Sequence, residues 1–308
     1  MQVPVVDFRD FYSDDSATRA EFVQALGRGL EATGFVCVSH HGIDVDLLRQ
    51  CYRNAEQTFD LPATVKRAYE TAEDGRQRGY TSMSVEHAKD YAVPDLKEFW
   101  HVGRILPSDH PLHASGDVPR NQWPSEQPAF ERSFSVLYRC MEAFAFSLLD
   151  AVGAYLDLPK NYFRDLVHDG NSIMRVIHYP PLGPDAPPQA VRAAAHEDIN
   201  LITVLPVSTQ PGLELLKRNG EWMAISPPPD VMVCDTGDMM QLITSGRLPS
   251  TTHRVVNPEG EKAKASRYSL PFFVHPHPDR LLTPLVGTAD PVTARDFLHR
   301  RLVDIGVA

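Results

Sequence analysis

The chain has 308 residues, with 30 Lys plus Arg against 40 Asp plus Glu and a formal charge of −10. That length can bury a sizeable core in one domain or two, and an acidic balance without a basic tract argues against nucleic acid as a partner. No apolar run approaches the roughly 20 residues that cross a bilayer, and Met1-Gln2-Val3-Pro4 leads into no signal peptide, so the expectation is a cytoplasmic protein with no membrane partner.

In chain order, Val3-Pro4-Val5-Val6-Asp7-Phe8 reads as a short strand with proline near its start. A helix follows, capped from Asp14, Asp15 or Ser16, with Phe22, Leu26 and Leu30 on one stripe and Gly34 beyond its end. Phe35-Val36-Cys37-Val38 predicts a second strand closed by a His41-Gly42 turn. Leu47, Leu48, Cys51, Ala55 and Phe59 predict a second helix that stops at Leu61-Pro62. The polar segment 71–90 has weak periodicity and is expected to be a surface loop around Gly79-Tyr80, before a strand at Lys97-Glu98-Phe99-Trp100-His101-Val102.

Prolines and small polar residues recur through 107–128, which marks a loop. From about Phe130, the apolar positions Phe134, Leu137, Met141, Phe144, Leu148, Val152 and Leu156 predict one long helix laid across a sheet. Short strands then dominate: 174–179, 201–205, 213–216 and 222–225 around the hairpin signal Asn219-Gly220, 231–234, 239–243, 252–256 and 268–274. Their spacing suits an all-β barrel or sandwich, and a last helix is expected near 293–302. The expected division is an N-terminal helical and β region at 1–106 and a loop with supporting helix at 107–170. A catalytic core at 171–275 and a C-terminal tail at 276–308 complete one integrated unit. The four cysteines, Cys37, Cys51, Cys140 and Cys234, lack Cys-x-x-Cys spacing and are expected to be buried thiols.

Three pieces carry chemistry: His196-Glu197-Asp198, His253-Arg254-Val255 and Arg267-Tyr268-Ser269. On a strand, His196 and Asp198 project to one face while Glu197 points away. With His253 from a second strand they make two imidazoles and one carboxylate, a set that suits ferrous iron and leaves coordination positions open. A chain with 13 histidines contains His-x-Asp by chance, so the third piece matters. Arg267 and Ser269 share a face by the same alternation, and a guanidinium beside a hydroxyl suits a carboxylate.

The order of these motifs, with Gly237-Asp238 and Gly246-Arg247 between them, resembles the isopenicillin N synthase-like family of non-haem Fe(II), 2-oxoglutarate-dependent oxygenases. Val3 to Phe8, Gly34-Phe35-Val36, His41-Gly42-Ile43, Phe59-Asp60-Leu61-Pro62, Gly79-Tyr80 and Lys97-Glu98-Phe99 resemble that family's N-terminal landmarks, so the likeness covers nearly the whole chain. The resemblance implies a mainly β fold with flanking helices around a double-stranded β-helix, or jelly-roll, cupin-like core. It implies His196, Asp198 and His253 as iron ligands, and Arg267 and Ser269, with Tyr179, as the site of 2-oxoglutarate. Plant members usually carry asparagine two positions before that tyrosine, where this chain has Ile177.

The implied reaction consumes O2, releases succinate and CO2, and hydroxylates, desaturates or cyclises a small-molecule substrate. Two other readings stay open on the residues alone: an iron oxidase of the same fold that uses no 2-oxoglutarate, and a non-catalytic jelly-roll binding protein. Trp100 and His101 are candidate substrate contacts, and the loops 71–103 and 180–190 are expected to shape the pocket. His40 and His41 are expected to shape a turn, and His275 and His277, alternating with prolines, to sit in an exposed loop. His178 is expected to face away from Ile177 and Tyr179.

Overall fold

The computed structural model describes residues 2–71, 75–83, 85, 95–183, 190–288 and 290–304. Strand β1 (Val5–Asp7) leads through a short 3-10 turn to α1 (Ser16–Thr33). The Asp15 side chain accepts from the Ala17 and Thr18 amides at its start, and Gly34 ends it in the left-handed conformation at φ 70°. β2 (Phe35–Ser39), α2 (Val45–Phe59) and α3 (Ala63–Arg67) follow, then β3 (Gly79–Thr81), β4 (Glu98–Gly103) and the short α4 (Pro111–Ala114).

The long α5 (Pro128–Tyr155) begins with proline in its first turn, and it buries Phe130, Phe134, Leu137, Met141, Phe144 and Leu148 against the sheet. After α6 (Tyr162–Val167) come β5 (Ile173–Tyr179), β6 (Ala193–His196), β7 (Ile202–Pro206), β8 (Leu213–Leu216), β9 (Trp222–Ala224) and β10 (Val231–Thr236). α7 (Asp238–Ile243), β11 (His253–Val255), β12 (Arg267–Ser269), β13 (Phe272–Val274), β14 (Leu281–Leu282), β15 (Val292–Thr293) and α8 (Ala294–Asp304) complete the chain.

The large sheet runs β1-β2-β10-β7-β13-β5-β4-β3, with β12 also paired to β5, and the small sheet runs β6-β11-β8-β9. These are the two sheets of the expected jelly roll, with α1, α2 and α5 packed outside the large one. Strands β1 to β4, from the N-terminal region, extend the sheet built by the later strands. Among the described residues, no helix is long and apolar enough to cross a membrane. The four cysteines are free thiols, and Cys37, Cys51 and Cys234 are buried.

Three expectations are corrected. The run 239–243 is helix α7, not a strand: Met239, Met240 and Ile243 are buried at helical spacing with Gln241 and Leu242 less so, and so short an apolar run does not reveal its period. Around Gly79-Tyr80 the chain forms buried strand β3, antiparallel to β4, rather than a surface loop. The remainder of that expected loop lies partly outside the described residues. The single strand expected over 268–274 is split into β12 and β13, with Leu270-Pro271 between them, because proline has no N–H to continue a ladder.

Candidate active site

β6 ends at His196 and β11 begins at His253, and the antiparallel register sets these two residues opposite each other. Their ring centroids lie 4.4 Å apart. Asp198 falls two residues past the end of β6 rather than on it, so the strand alternation expected for His196 and Asp198 is completed by a loop. The loop is held from several sides. The Asp238 amide donates to the Asp198 carbonyl at 2.8 Å, and a Cβ on Gly237 would meet that carbonyl oxygen at 2.8 Å and the Asn200 carbonyl oxygen at 2.3 Å. Only glycine permits this approach.

The Thr203 hydroxyl donates to Asp198 Oδ2, which leaves Oδ1 to face His196 Nε2 at 3.9 Å and His253 Nε2 at 3.8 Å. One ligand atom from each of the three residues lies within 4.8 Å of the others. On the far side of each ring, Nδ1 meets a carbonyl: Ala194 for His196 at 2.8 Å and Thr251 for His253 at 3.1 Å. A carbonyl can only accept, so Nδ1 carries the proton and Nε2 offers its lone pair inward. Burial, then the neighbouring His253, pushes the His196 pKa down to about 4, which keeps the imidazole neutral as a ligand must be. Glu197 points away and accepts from the Thr252 hydroxyl at 2.9 Å. Two imidazole nitrogens and one carboxylate oxygen on one side fit a ferrous ion with positions left open.

The same cavity contains Arg267, Ser269 and Tyr179 together with the three potential ligands. β12 places Arg267 opposite Tyr179 and Ser269 opposite Ile177 on β5. The Arg267 guanidinium is 2 % exposed and lies 4.9 Å from the Tyr179 ring centroid. Its Nε donates to the Gln210 carbonyl at 3.0 Å and its Nη2 to Ser208 Oγ at 2.9 Å, while Nη1 is buried with no hydrogen-bond partner among the described residues. Burial lowers its pKa, which the adjoining Tyr179 opposes. A buried cation with an unsatisfied N–H beside a hydroxyl is suited to an anionic ligand group. Asp235 also lines this cavity, with Oδ1 unpartnered among the described residues, and burial followed by the charge of Asp198 drives its carboxyl well above the usual range.

A second cavity of about 300 Å³ adjoins this one and shares His196, Asp198, Arg175 and Phe273 with it. Phe99, His101, Arg175 and Phe273 line it. His101 Nδ1 donates to the Arg76 carbonyl at 2.8 Å, so its Nε2 accepts from Arg175 Nε at 2.7 Å. The Arg175 guanidinium stacks 4.2 Å from the Phe99 centroid. Trp100, expected as a substrate contact, points to the opposite face of β4: it is fully buried, donates to the Gln122 carbonyl and packs against Tyr69, Tyr80 and Phe130. His275 is also displaced from its expected place. It is buried rather than in an exposed loop, it lines this cavity, and its Nδ1 has no partner among the described residues.

His178 faces away from Ile177 and Tyr179 and bonds Glu98 and Ser266. The His41 ring accepts from the Ile43 amide in its turn. Gln77 and Thr81 bring the 71–103 region to the cavity, while 72–74, 84, 86–94 and 184–189 of the two expected pocket loops lie outside the described residues. The sequence reading missed Thr203, Ser208, Asp235 and His275. Asp235 alone had a local signal, a carboxylate ending the apolar run 231–234.

Comparison with known proteins finds two family models. One, described as the non-haem dioxygenase in morphine synthesis N-terminal region, matches residues 3–126, and one described as the 2OG-Fe(II) oxygenase superfamily matches residues 170–276. A 2-oxoglutarate-Fe(II) type oxidoreductase of Emericella nidulans is 30 % identical over 90 % of this chain and 80 % of its own length. A 2-oxoglutarate-dependent dioxygenase of Monascus ruber is 31 % identical over 92 % of this chain and 87 % of its own. Among solved structures, a 2OG-Fe(II) oxygenase family protein from Caulobacter crescentus is similar with TM-score 0.87 and 39 % identity, covering 98 % of each chain. A Neurospora crassa protein solved in complex with alpha-KG and thymine is similar with TM-score 0.86 and 25 % identity, covering 98 % of this chain and 96 % of its own.

Proposed function

The chain belongs to the 2OG-Fe(II) oxygenase superfamily and is an Fe(II)- and 2-oxoglutarate-dependent oxygenase, and on that premise we propose that His196, Asp198 and His253 hold its iron while Arg267 and Ser269, flanked by Tyr179, hold the distal carboxylate of 2-oxoglutarate. The observation that carries the assignment is the shared cavity: three ligand atoms within 4.8 Å of one another face the same space as a buried arginine whose Nη1 has no partner among the described residues. Bound together, ferrous iron and 2-oxoglutarate supply the oxidising chemistry, in which O2 is consumed, succinate and CO2 are released, and a substrate C–H bond is oxidised.

The chain's own residues do the rest. Carbonyls behind each imidazole keep Nε2 unprotonated, and Thr203 holds Asp198 with one oxygen inward. Arg267 offsets the charge of the cosubstrate carboxylate in a site too dry for water to do so. We assign the cavity of about 300 Å³ to a small-molecule substrate, laid against Phe99 and Phe273 beside His196 and Asp198; the thymine complex of the similar Neurospora crassa protein supports that class. This reading takes 171–275 as the catalytic core and the remainder as its support, because β1 to β4 extend the core's sheet.

Iron-dependent succinate formation tests the proposal. His196→Ala and Asp198→Ala are each expected to abolish it, and full turnover in either variant refutes the ligand assignment.

A further inference from the structure

Ser208 lies two residues beyond β7, outside every motif that singles out this site. Its hydroxyl oxygen accepts from Arg267 Nη2 at 2.9 Å and stands 2.9 Å from Ser269 Oγ. A guanidinium only donates, and a hydroxyl has one proton and two lone pairs. Arg267 therefore occupies one lone pair of Ser208, which keeps its proton and a second lone pair, so either serine can donate across the 2.9 Å contact until a ligand fixes the direction. A carboxylate in the cavity only accepts, so if it takes the proton of Ser269, beside an Arg267 Nη1 that has no partner among the described residues, the serine contact is left with Ser208 as its donor.

The segment that carries Ser208 is fixed before any ligand binds. Arg267 Nε donates to the Gln210 carbonyl at 3.0 Å. The Thr209 amide donates to the Tyr268 carbonyl at 3.1 Å, and the Tyr268 amide donates to Thr209 Oγ1 at 2.9 Å. These bonds tie 208–210 to β12, so the hydroxyl chain is built into the fold rather than assembled around a guest.

We propose that Ser208 is a positioning residue for the cosubstrate: held by Arg267, its hydroxyl donates to Ser269 Oγ when a carboxylate is bound, which frees the Ser269 proton, beside the Arg267 N–H, for that carboxylate. The inference rests on the reading of Arg267 and Ser269 as the 2-oxoglutarate clamp.

Anaerobic titration of the ferrous protein with 2-oxoglutarate and with 2-oxobutyrate separates the two ideas, because both acids carry the same chelating end and only the first has a distal carboxylate. The visible band that forms when the 2-oxo acid chelates the iron is the readout. Ser208→Ala is expected to weaken 2-oxoglutarate by about tenfold and to leave 2-oxobutyrate unchanged, and Ser208→Thr is expected to restore 2-oxoglutarate. The role of Ser208 is overturned if Ser208→Ala binds 2-oxoglutarate as the parent does, loses both acids equally, or is not rescued by threonine, while Arg267→Ala still weakens 2-oxoglutarate alone. If Arg267→Ala leaves 2-oxoglutarate untouched, the clamp itself is overturned.

Discussion

His196 and His253 face each other across the β6–β11 pairing, with ring centroids 4.4 Å apart and each Nδ1 committed to a backbone carbonyl. Neither ring can turn its other nitrogen inward without giving up that bond. Replacing either with alanine is expected to weaken Fe(II) binding by at least about 100-fold, measured by competition with a colorimetric chelator. Retention of parent affinity in either variant contradicts the pairing as a metal site.

Thr203 acts on Asp198 from behind. Its hydroxyl donates to Asp198 Oδ2 and accepts from Asn200 Nδ2 at 3.1 Å. Thr203→Val keeps the shape and removes the donor, so Fe(II) affinity is expected to fall by about tenfold, with Thr203→Ser restoring it. Equal affinity in all three proteins removes Thr203 from the site.

Glu98 is the hub of a buried network on the opposite face of β5 from the site. Lys66 Nζ lies 2.8 Å from Oε2, His178 Nδ1 lies 2.7 Å from Oε1, and Tyr80 donates as well. Burial alone would raise the Glu98 pKa, but the bonds from His178, Lys66 and Tyr80 outweigh it and the net shift is downward. A carboxyl lowered on folding stabilises the protein above its unfolded pKa, and that stability is lost as pH falls through the folded value. Lys66→Met leaves the Glu98 carboxylate short of a partner and is expected to cost about 3 kcal/mol in urea unfolding. A cost below about 1 kcal/mol would mean His178 and Tyr80 suffice.

His275 carries a pH signature of opposite origin. Burial, which Asp198 opposes and Arg78 assists, lowers its pKa from 6.5 to about 4. The folded protein thus holds the ring neutral where the unfolded chain takes a proton, so stability is lost as pH falls from about 6.5 toward 4. In the metal-free protein, His275→Gln is expected to flatten the dependence of unfolding free energy on pH across that window by up to about one proton. Parallel curves for the two proteins would show that His275 does not contribute.

The jelly roll, the long helix and the strand that puts Arg267 and Ser269 on one face were legible because each depends on local period: 3.6 residues in α5, two residues in β12. The same period failed where both faces of a strand are buried. Every residue of β4 is buried, so nothing in the sequence reveals that Phe99 and His101 face the cavity while Trp100 faces the core. His275, set between prolines and the end of β13, reads as exposed, yet the chain passes so close to Gly170 that a Cβ there would meet the His275 carbonyl oxygen at 2.1 Å. Ser208 meets Arg267 across 59 positions of sequence, and no local pattern announces such a contact; Thr203 bonds Asp198 only five positions away, but across a loop whose path no periodicity reveals.

The most direct test is anaerobic titration of the ferrous protein with 2-oxoglutarate, followed at the visible band that the chelated cosubstrate gives. The account predicts a band that saturates near equimolar cosubstrate, is absent in Asp198→Ala, and requires at least about tenfold more 2-oxoglutarate in Arg267→Ala. Iron that binds and supports substrate oxidation with no such band, or an Arg267→Ala titration that overlays the parent, would contradict it.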